Sequence, residues 1–215
     1  MKQLKYKIIV IIIGLIIFES IFYLLAKLTP IDSFLLTSSI DNKIPLIEEF
    51  IYPYIGWYLM LFIVPYIIYC KNKEKFYEYV TIFMGCVIVS SIIFFLFPTT
   101  IVRGDILVND VTTFILKFIY LTDTPALNCL PSMHCAICFV FIYSCLNLDL
   151  KWYYKLLIII LSLLVIVSTL FIKQHVIWDV LGAFILVIVV IVLIKIFKLD
   201  LYVKDIIKNK LKYQI

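Results

Sequence analysis

The chain has 215 residues, of which 65% are hydrophobic and 15% charged, and its mean hydropathy is +1.13. A soluble domain of this length has too little interior to bury that much apolar surface, so the composition excludes a soluble globular protein and indicates a polytopic membrane protein. The net charge of +5 is not accompanied by an aromatic and basic groove motif, so no nucleic-acid partner is expected.

Six apolar segments are long enough to cross a bilayer, for which a helix needs about 20 mostly apolar residues. We predict transmembrane helices over residues 8–27, 51–70, 78–97, 132–148, 156–172 and 176–197. The first follows a basic start and so resembles a signal peptide, but it has no small-residue cleavage site and is expected to stay. The predicted fold class is an all-α, six-span membrane bundle formed by one domain over residues 1–215.

Lysine and arginine residues are divided unequally between the two sides of these spans. Fourteen of the 19 cations fall before span 1, between spans 2 and 3, between spans 4 and 5, or at the end of span 6 and beyond it. By the positive-inside rule these segments and both termini are cytoplasmic, and the protein is expected in the cell membrane. The tail over residues 198–215 is basic and amphipathic and is expected to lie on the anionic inner leaflet.

Two features break the apolar pattern before the fourth span. Glu19 lies deep in the first span, where an acid is costly, so it is either a structural hydrogen-bonding group or part of a site. Residues 98–131 form the longest segment between spans, a length typical of a functional or mobile loop. Within it, residues 111–121 are apolar but too few to cross, and we predict an interfacial or re-entrant helix capped by Asn109 or Asp110.

The stretch from Ser168 to Asp179 carries a cation, an imidazole and a carboxylate in an otherwise apolar chain. His175 and Asp179 are spaced i, i+4, so a helix that begins at or just before His175 would place them on one face. A carboxylate on one ring nitrogen fixes the tautomer and leaves the other nitrogen basic. The spacing therefore predicts an imidazole that can act as a nucleophile or a base.

The chain's other histidine, His134, lies at the predicted start of the fourth span. Ser132 is the predicted N-cap, which places His134 in the first helical turn, where unpaired N–H groups favour an anion. The alternation of spans brings both histidines to the outer membrane face, together with Arg103 and Lys173. Two cations, two imidazoles and a helix N-terminus indicate a phosphate site, in which one imidazole attacks phosphorus and the other protonates the leaving oxygen.

These residues resemble the motifs of type 2 phosphatidic acid phosphatases. Pro131-Ser132-Met133-His134 corresponds to the family's Pro-Ser-Gly-His motif. Ser168-Thr169, five residues, His175, three residues and Asp179 keep the spacing of its Ser-Arg-x5-His-x3-Asp motif. Arg103 corresponds to the arginine of its Lys-x6-Arg-Pro motif. The resemblance covers about residues 95–185 in motifs and the whole chain in topology.

The chain departs from the family at four positions. Leu96 occupies the lysine position of the first motif and Gly104 the proline position, while Met133 and Thr169 replace a glycine and an arginine. Two of the usual phosphate-binding cations are therefore absent, and Lys173 is the candidate replacement for one. The pattern Ser-Thr-x3-Lys-Gln-His looks like the branch that includes inositol phosphorylceramide synthases and bacterial relatives, which makes head-group transfer an alternative to hydrolysis.

The resemblance implies a role for each site residue, and it implies no metal or cofactor. His175 is the nucleophile, Asp179 its orienting partner and His134 the general acid. The groups expected to hold phosphoryl oxygens are Arg103, Asn128, Ser132, Ser168 and Lys173. The implied function is metal-independent hydrolysis of a lipid-linked phosphate through a phosphohistidine at the outer membrane face. The expected partners are this substrate and the surrounding membrane lipids. The alternative is transfer of a phospho head group between a lipid and a polyol such as inositol.

Three other interpretations of the sequence are open. Cys135-x-x-Cys138 has the spacing of a thiol redox motif, although burial among apolar residues blunts thiol reactivity. The same cysteines with the two histidines would form a metal site. A transporter or scaffold without catalysis would explain the spans but not the motif spacings. No extracellular disulfide framework is visible among the six cysteines.

Overall fold

The computed structural model describes residues 2–27 and 32–212, and it describes side chains there except for 2–9, 22, 26–27 and 208–212. The described residues are mostly helical, which confirms the all-α prediction. The helices are α1 (Lys2–Lys27), α2 (Ile51–Lys71), α3 (Lys73–Leu96), α4 (Val111–Thr122), α5 (Met133–Leu146), α6 (Trp152–Phe171), α7 (Ile177–Phe197) and α8 (Leu199–Lys212).

Four helical stretches of the described chain are long and apolar enough to cross a membrane. They are Glu48–Lys71, Lys73–Leu96, Trp152–Phe171 and Ile177–Phe197. They correspond to the second, third, fifth and sixth predicted spans. α5 has 14 residues, about 21 Å, which is less than the roughly 30 Å hydrocarbon core of a bilayer. The apolar part of α1, Val10–Leu25, is also short, so the six-span layout stays a prediction at α1 and α5.

The short helix α5 lies in the middle of the bundle. It packs against α2, α3, α6 and α7, and Ala136, Ile137, Val140 and Phe141 are each 0% exposed. Cys135 and Cys138 are equally buried, and no disulfide joins any of the six cysteines. A thiol redox role needs accessible sulfur atoms, so this position in the core gives the redox interpretation no support.

Side-chain caps define the starts of three helices. Asn72, the single residue between α2 and α3, accepts hydrogen bonds from the N–H groups of Glu74 (2.9 Å) and Lys75 (3.1 Å). Asp110 caps α4 by accepting from the N–H of Thr113 (2.8 Å). Ser132 caps α5. The predicted caps of α4 and α5 are therefore confirmed, with Asp110 rather than Asn109 in the first case.

Loops from three parts of the chain join at the histidine end of the bundle, defined as the end where α5 and α7 begin. The strands β1 (Phe34–Leu35) and β2 (Thr99–Thr100) pair in parallel. Thr99 Oγ1 accepts from the N–H groups of Cys129 (3.0 Å) and Leu130 (2.9 Å). The sequence gives no signal for this pairing.

We expect Thr99→Val to destabilise the protein by about 2 kcal/mol, because the isosteric side chain leaves two buried N–H groups without an acceptor. Thr99→Ser keeps the acceptor and should lose less than half as much. Thermal unfolding of both variants in one detergent measures the difference. A loss in Thr99→Ser with little or no loss in Thr99→Val would show that the methyl group, not the hydroxyl, holds the loop.

Candidate active site

The turn between α6 and α7 positions His175 before α7 begins. Lys173 adopts a left-handed backbone conformation (φ 53°), which stops the preceding helix. The N–H groups of Gln174 and His175 then donate to Thr169 O at 2.9 and 3.0 Å. α7 begins at Ile177, one residue after the predicted start of the sixth span, so a helix start at or just before His175, the condition for placing both residues on one helix face, is not met. The left-handed turn delays the helix by two residues.

Asp179 nevertheless meets His175, because its carboxylate reaches back over the first turn of α7. Oδ2 accepts from the N–H of Val176 (3.0 Å) and lies 3.1 Å from His175 Nδ1. Asp179 is 0% exposed, and its Oδ1 has no partner among the described residues. A buried carboxylate is stabilised by facing a proton donor. This favours the tautomer with the proton on Nδ1, which leaves a lone pair on Nε2.

A distant loop holds the start of α7 from the other side. Asp41 Oδ1 accepts from the N–H of Ile177 (2.9 Å), and Oδ2 accepts from the N–H (2.8 Å) and hydroxyl (2.5 Å) of Ser38. Burial alone would raise the pKa of Asp41, but the hydrogen bonds from Ser38 and Ile177, with Lys173 nearby, lower it. Lys173 Nζ donates to Asp41 O (2.9 Å) and to Ile44 O. The loop and the turn are therefore held as one unit.

His134 lies in the first turn of α5 with its ring against two aromatic side chains. Its ring centroid is 4.7 Å from that of Tyr54, in a stacked arrangement, and 4.3 Å from that of Trp57. The ring centroid of His175 is 5.7 Å away. His134 Nε2 is buried and has no partner in the described part of the chain. This atom is therefore available to a ligand that lies beside both rings.

Two polar side chains hold the guanidinium of Arg103 in place. One terminal nitrogen of its guanidinium donates to Asp123 Oδ2 (2.5 Å) and to Gln174 Oε1 (2.8 Å). Tyr23 donates to the other carboxylate oxygen of Asp123. Arg103 Nε is buried and lacks a partner among the described residues. Because Gln174 precedes His175 directly, this hydrogen bond ties the guanidinium to the turn that carries His175.

Both histidines and Arg103 line one cavity. Its volume is about 260 Å³, slightly below the usual size of a small-molecule site. Asn128 lies at its wall with φ 61° and 5% exposure, and neither polar atom of its side chain has a partner among the described residues. From the two histidines the cavity continues between α1, α2 and α3. Its polar lining consists of Glu19, Ser20, Tyr23, Tyr54, Trp57, Tyr58, Ser90, Ser91, Arg103, Thr122, Asp123, Asn128, His134, Gln174 and His175.

Three of the predicted phosphate ligands have other partners. Ser132 caps α5, and its backbone N–H donates to Asp179 O (3.1 Å). Ser168 is buried, and its hydroxyl donates to Val165 O (2.6 Å). The ammonium group of Lys173 is bound to the loop described above. These three side chains are not among the described residues that line the cavity, so their contacts with phosphate stay predictions.

Several residues that shape the site are not predicted from the sequence. Asp123 and Gln174 hold the arginine, while Tyr54 and Trp57 contact the ring of His134. The available signal for the first two was their position in the polar stretches that precede each histidine. The two aromatic residues belong to a cluster that is equally typical of an interfacial belt, so the sequence could not separate the two roles.

The sequence model of the PAP2 superfamily matches residues 41–193, more than two thirds of the chain. This chain belongs to the PAP2 superfamily. The resemblance to type 2 phosphatidic acid phosphatases is therefore confirmed at the level of the superfamily, whose members are phosphatases or phosphotransferases. Membership indicates a phosphatase-type activity on lipid phosphates. No curated protein and no solved structure matches the chain. All predicted site residues of this PAP2 member lie within the matched range.

We expect orthovanadate, a tetrahedral oxyanion like phosphate, to bind beside Arg103. Arg103→Gln should weaken its binding at least about 10-fold, because bonds from a guanidinium to an oxyanion are charge-assisted. Lys117→Gln makes the same charge change on α4, outside the described lining of the cavity, and should leave binding nearly unchanged. The vanadate-dependent rise in unfolding temperature reports both affinities. A similar loss in the two variants would mean that only long-range charge attracts the anion.

Proposed function

We propose that this chain is a lipid phosphatase that works through a phosphohistidine intermediate. The observation that supports it most directly is the pair of imidazole rings 5.7 Å apart at one cavity. One ring is held by a buried carboxylate at 3.1 Å, and the other has a buried, unpartnered Nε2 among the described residues. A phosphoryl group beside both rings would meet a nucleophile and a proton donor.

The proposed reaction has two steps. His175 Nε2 attacks phosphorus, so that an N–P bond forms while the P–O bond to the lipid breaks, and His134 gives its proton to the leaving oxygen. A water molecule then attacks phosphorus, the N–P bond breaks, and His134 takes the proton from the water. Asp179 stabilises the positive charge that His175 gains, and Arg103 the negative charge on the phosphoryl oxygens. The chain's own residues supply each role, so the proposal invokes no metal.

The second candidate function is transfer of a phospho head group from a lipid to a polyol such as inositol, which would replace water in the second step. The charge balance of the cavity favours it. Arg103 is the only lysine or arginine among the described residues that line the cavity, and it is already paired with Asp123. A phosphodiester carries one negative charge, whereas a phosphomonoester carries up to two. A site with few cations therefore compensates a diester more easily.

We also propose that the chain crosses the cell membrane six times, with both termini in the cytoplasm. α1, α3 and α6 end at the histidine end, and α2, α5 and α7 begin there, which supports six alternating crossings. The segments rich in lysine lie at the opposite end, and the positive-inside rule assigns that end to the cytoplasm. The lipid substrate would then reach the site at the outer face.

The two histidines should respond differently to a better leaving group. With a lipid phosphate, both His175→Ala and His134→Ala should lower turnover at least about 1000-fold. A nitrophenyl phosphate needs little protonation of its leaving oxygen. On this substrate His134→Ala should recover much of its loss, whereas His175→Ala should recover none. Release of nitrophenol or phosphate by the purified variants measures both effects.

Rapid quenching in base, which preserves phosphohistidine, should establish that its formation limits the rate. Turnover by His175→Ala within tenfold of the wild type would remove this residue from the mechanism. If phosphohistidine formation is limiting and both variants lose the same factor on both substrates, the assignment of the two roles is wrong.

Cysteine labelling tests the proposed orientation. Leu107 is 78% exposed at the histidine end, and Trp152 is 73% exposed at the opposite end. In a variant that lacks the six native cysteines, Leu107→Cys should react with a membrane-impermeant maleimide in intact cells. Trp152→Cys should react only after the membrane is permeabilised. The reverse pattern would invert the topology, and labelling of both sites in intact cells would exclude six alternating crossings.

A further inference from the structure

The part of the cavity that lies beyond the histidines contains polar groups that the proposed reaction does not use. α1, α2 and α3 each present an i, i+3, i+4, i+7 face to it, over residues 16–23, 54–61 and 87–94. In each face the two middle residues are polar or carry a polar atom, and they are Glu19 and Ser20, Trp57 and Tyr58, and Ser90 and Ser91. One turn further from the histidine end, apolar side chains close the cavity.

Three groups of this layer have no hydrogen-bond or ion-pair partner among the described residues. Ser90 is 0% exposed and Trp57 is 4% exposed, and both Ser90 Oγ and Trp57 Nε1 are buried and unpartnered. Glu19 has no hydrogen bond or ion pair within the described chain. It lies eight residues before Lys27, the last residue of α1, about 12 Å along the helix. Polar groups left unpaired at such depth are costly, and they indicate a ligand.

The chemistry of the three groups narrows the class of ligand. The indole N–H of Trp57 is a donor only, the carboxyl group of Glu19 offers acceptor oxygens, and the hydroxyl of Ser90 can act either way. A hydroxyl group satisfies this set, because it donates to Glu19 and accepts from Trp57 or Ser90. An alkyl chain would leave all three unpaired. A phosphate would lie beside the carboxyl group of Glu19, and two groups of like charge disfavour each other.

We propose that the three unpartnered groups of this layer, on Glu19, Trp57 and Ser90, form a subsite for a hydroxyl group that lies close to the transferred phosphate. The inference rests on the proposed function and adds a substrate class to it. The hydroxyl has two possible sources with the same chemistry. It belongs to the lipid phosphate itself, or to a separate polyol that accepts the phosphoryl group.

Two adjacent serines provide a matched test. Ser90 and Ser91 both line the cavity, but the hydroxyl of Ser91 donates to Val87 O (2.7 Å), whereas that of Ser90 has no partner among the described residues. Each serine-to-alanine change removes one oxygen atom. Only Ser90→Ala should alter recognition of a hydroxyl group, and Glu19→Gln provides an independent second variant.

The lipid arm uses 1-acyl-glycerol 3-phosphate and its analogue without the 2-hydroxyl. The wild type should favour the hydroxylated lipid about 5-fold in kcat/KM, because one hydrogen bond contributes a free energy of about that factor. Ser91→Ala should keep that preference. Ser90→Ala should lose it.

The polyol arm adds inositol and measures the new phosphoester. There Ser90→Ala should raise the half-saturating inositol concentration about 5-fold. A response in one arm supports the subsite and identifies the source of the hydroxyl. No difference between Ser90→Ala and Ser91→Ala in either arm overturns it.

A binding readout separates this inference from the proposed function. The rise in unfolding temperature caused by the hydroxylated lipid or by inositol, compared among the same variants, needs no turnover. Absence of turnover in the wild type, with a ligand-dependent rise that is lost in Ser90→Ala but kept in Ser91→Ala, would refute the proposed function and leave the subsite standing. Normal turnover without a difference between the two serine variants would refute the subsite alone.

Discussion

One buried residue, Asp179, joins the two halves of the candidate site through its carboxylate and its backbone oxygen. Asp179 holds the ring of His175 and the backbone of Val176 through Oδ2, while its own backbone oxygen accepts from the N–H of Ser132. Ser132 in turn caps the helix that carries His134. Because Asp179 is completely buried, water cannot replace a lost partner, and each neighbour must keep its position for Oδ2 to keep its hydrogen bonds. The separation of the two imidazoles therefore depends on this residue.

A second carboxylate, in a loop far away in the sequence, reinforces the same turn. Asp41 accepts from the N–H of Ile177, and Lys173 binds the backbone of the same loop. The hydrogen bonds that lower the pKa of Asp41 make this contact sensitive to acid. Its contribution to stability is fully present above the pKa of the unfolded chain, and it is lost as the pH falls through the lowered pKa. The family match begins at this residue, so the part of the loop from Asp41 onward lies within the matched range.

Most of the helical layout could be predicted because long apolar runs have few alternatives in a membrane protein. The meeting of the two histidines also followed from the sequence, since an alternating set of helices returns both to one end. The pairing of β1 with β2 could not be predicted, because strands of two residues carry no periodic signal. Nor could the partners of Lys173, whose ammonium group was expected at phosphate and lies instead on loop carbonyls. Spacing along the chain shows which charges are present but not which distant backbone they meet.

The two helices that begin at the site differ in how their positive ends are neutralised. The start of α7 receives carboxylate oxygens from both Asp41 and Asp179, whereas α5 is capped by the neutral hydroxyl of Ser132. A helix N-terminus carries about half a positive charge, which nearby carboxylates offset. The uncompensated end is therefore that of α5, where His134 lies. In the proposed reaction a phosphoryl group would be stabilised best there, and the helix would supply part of the charge of the two motif cations that this chain lacks.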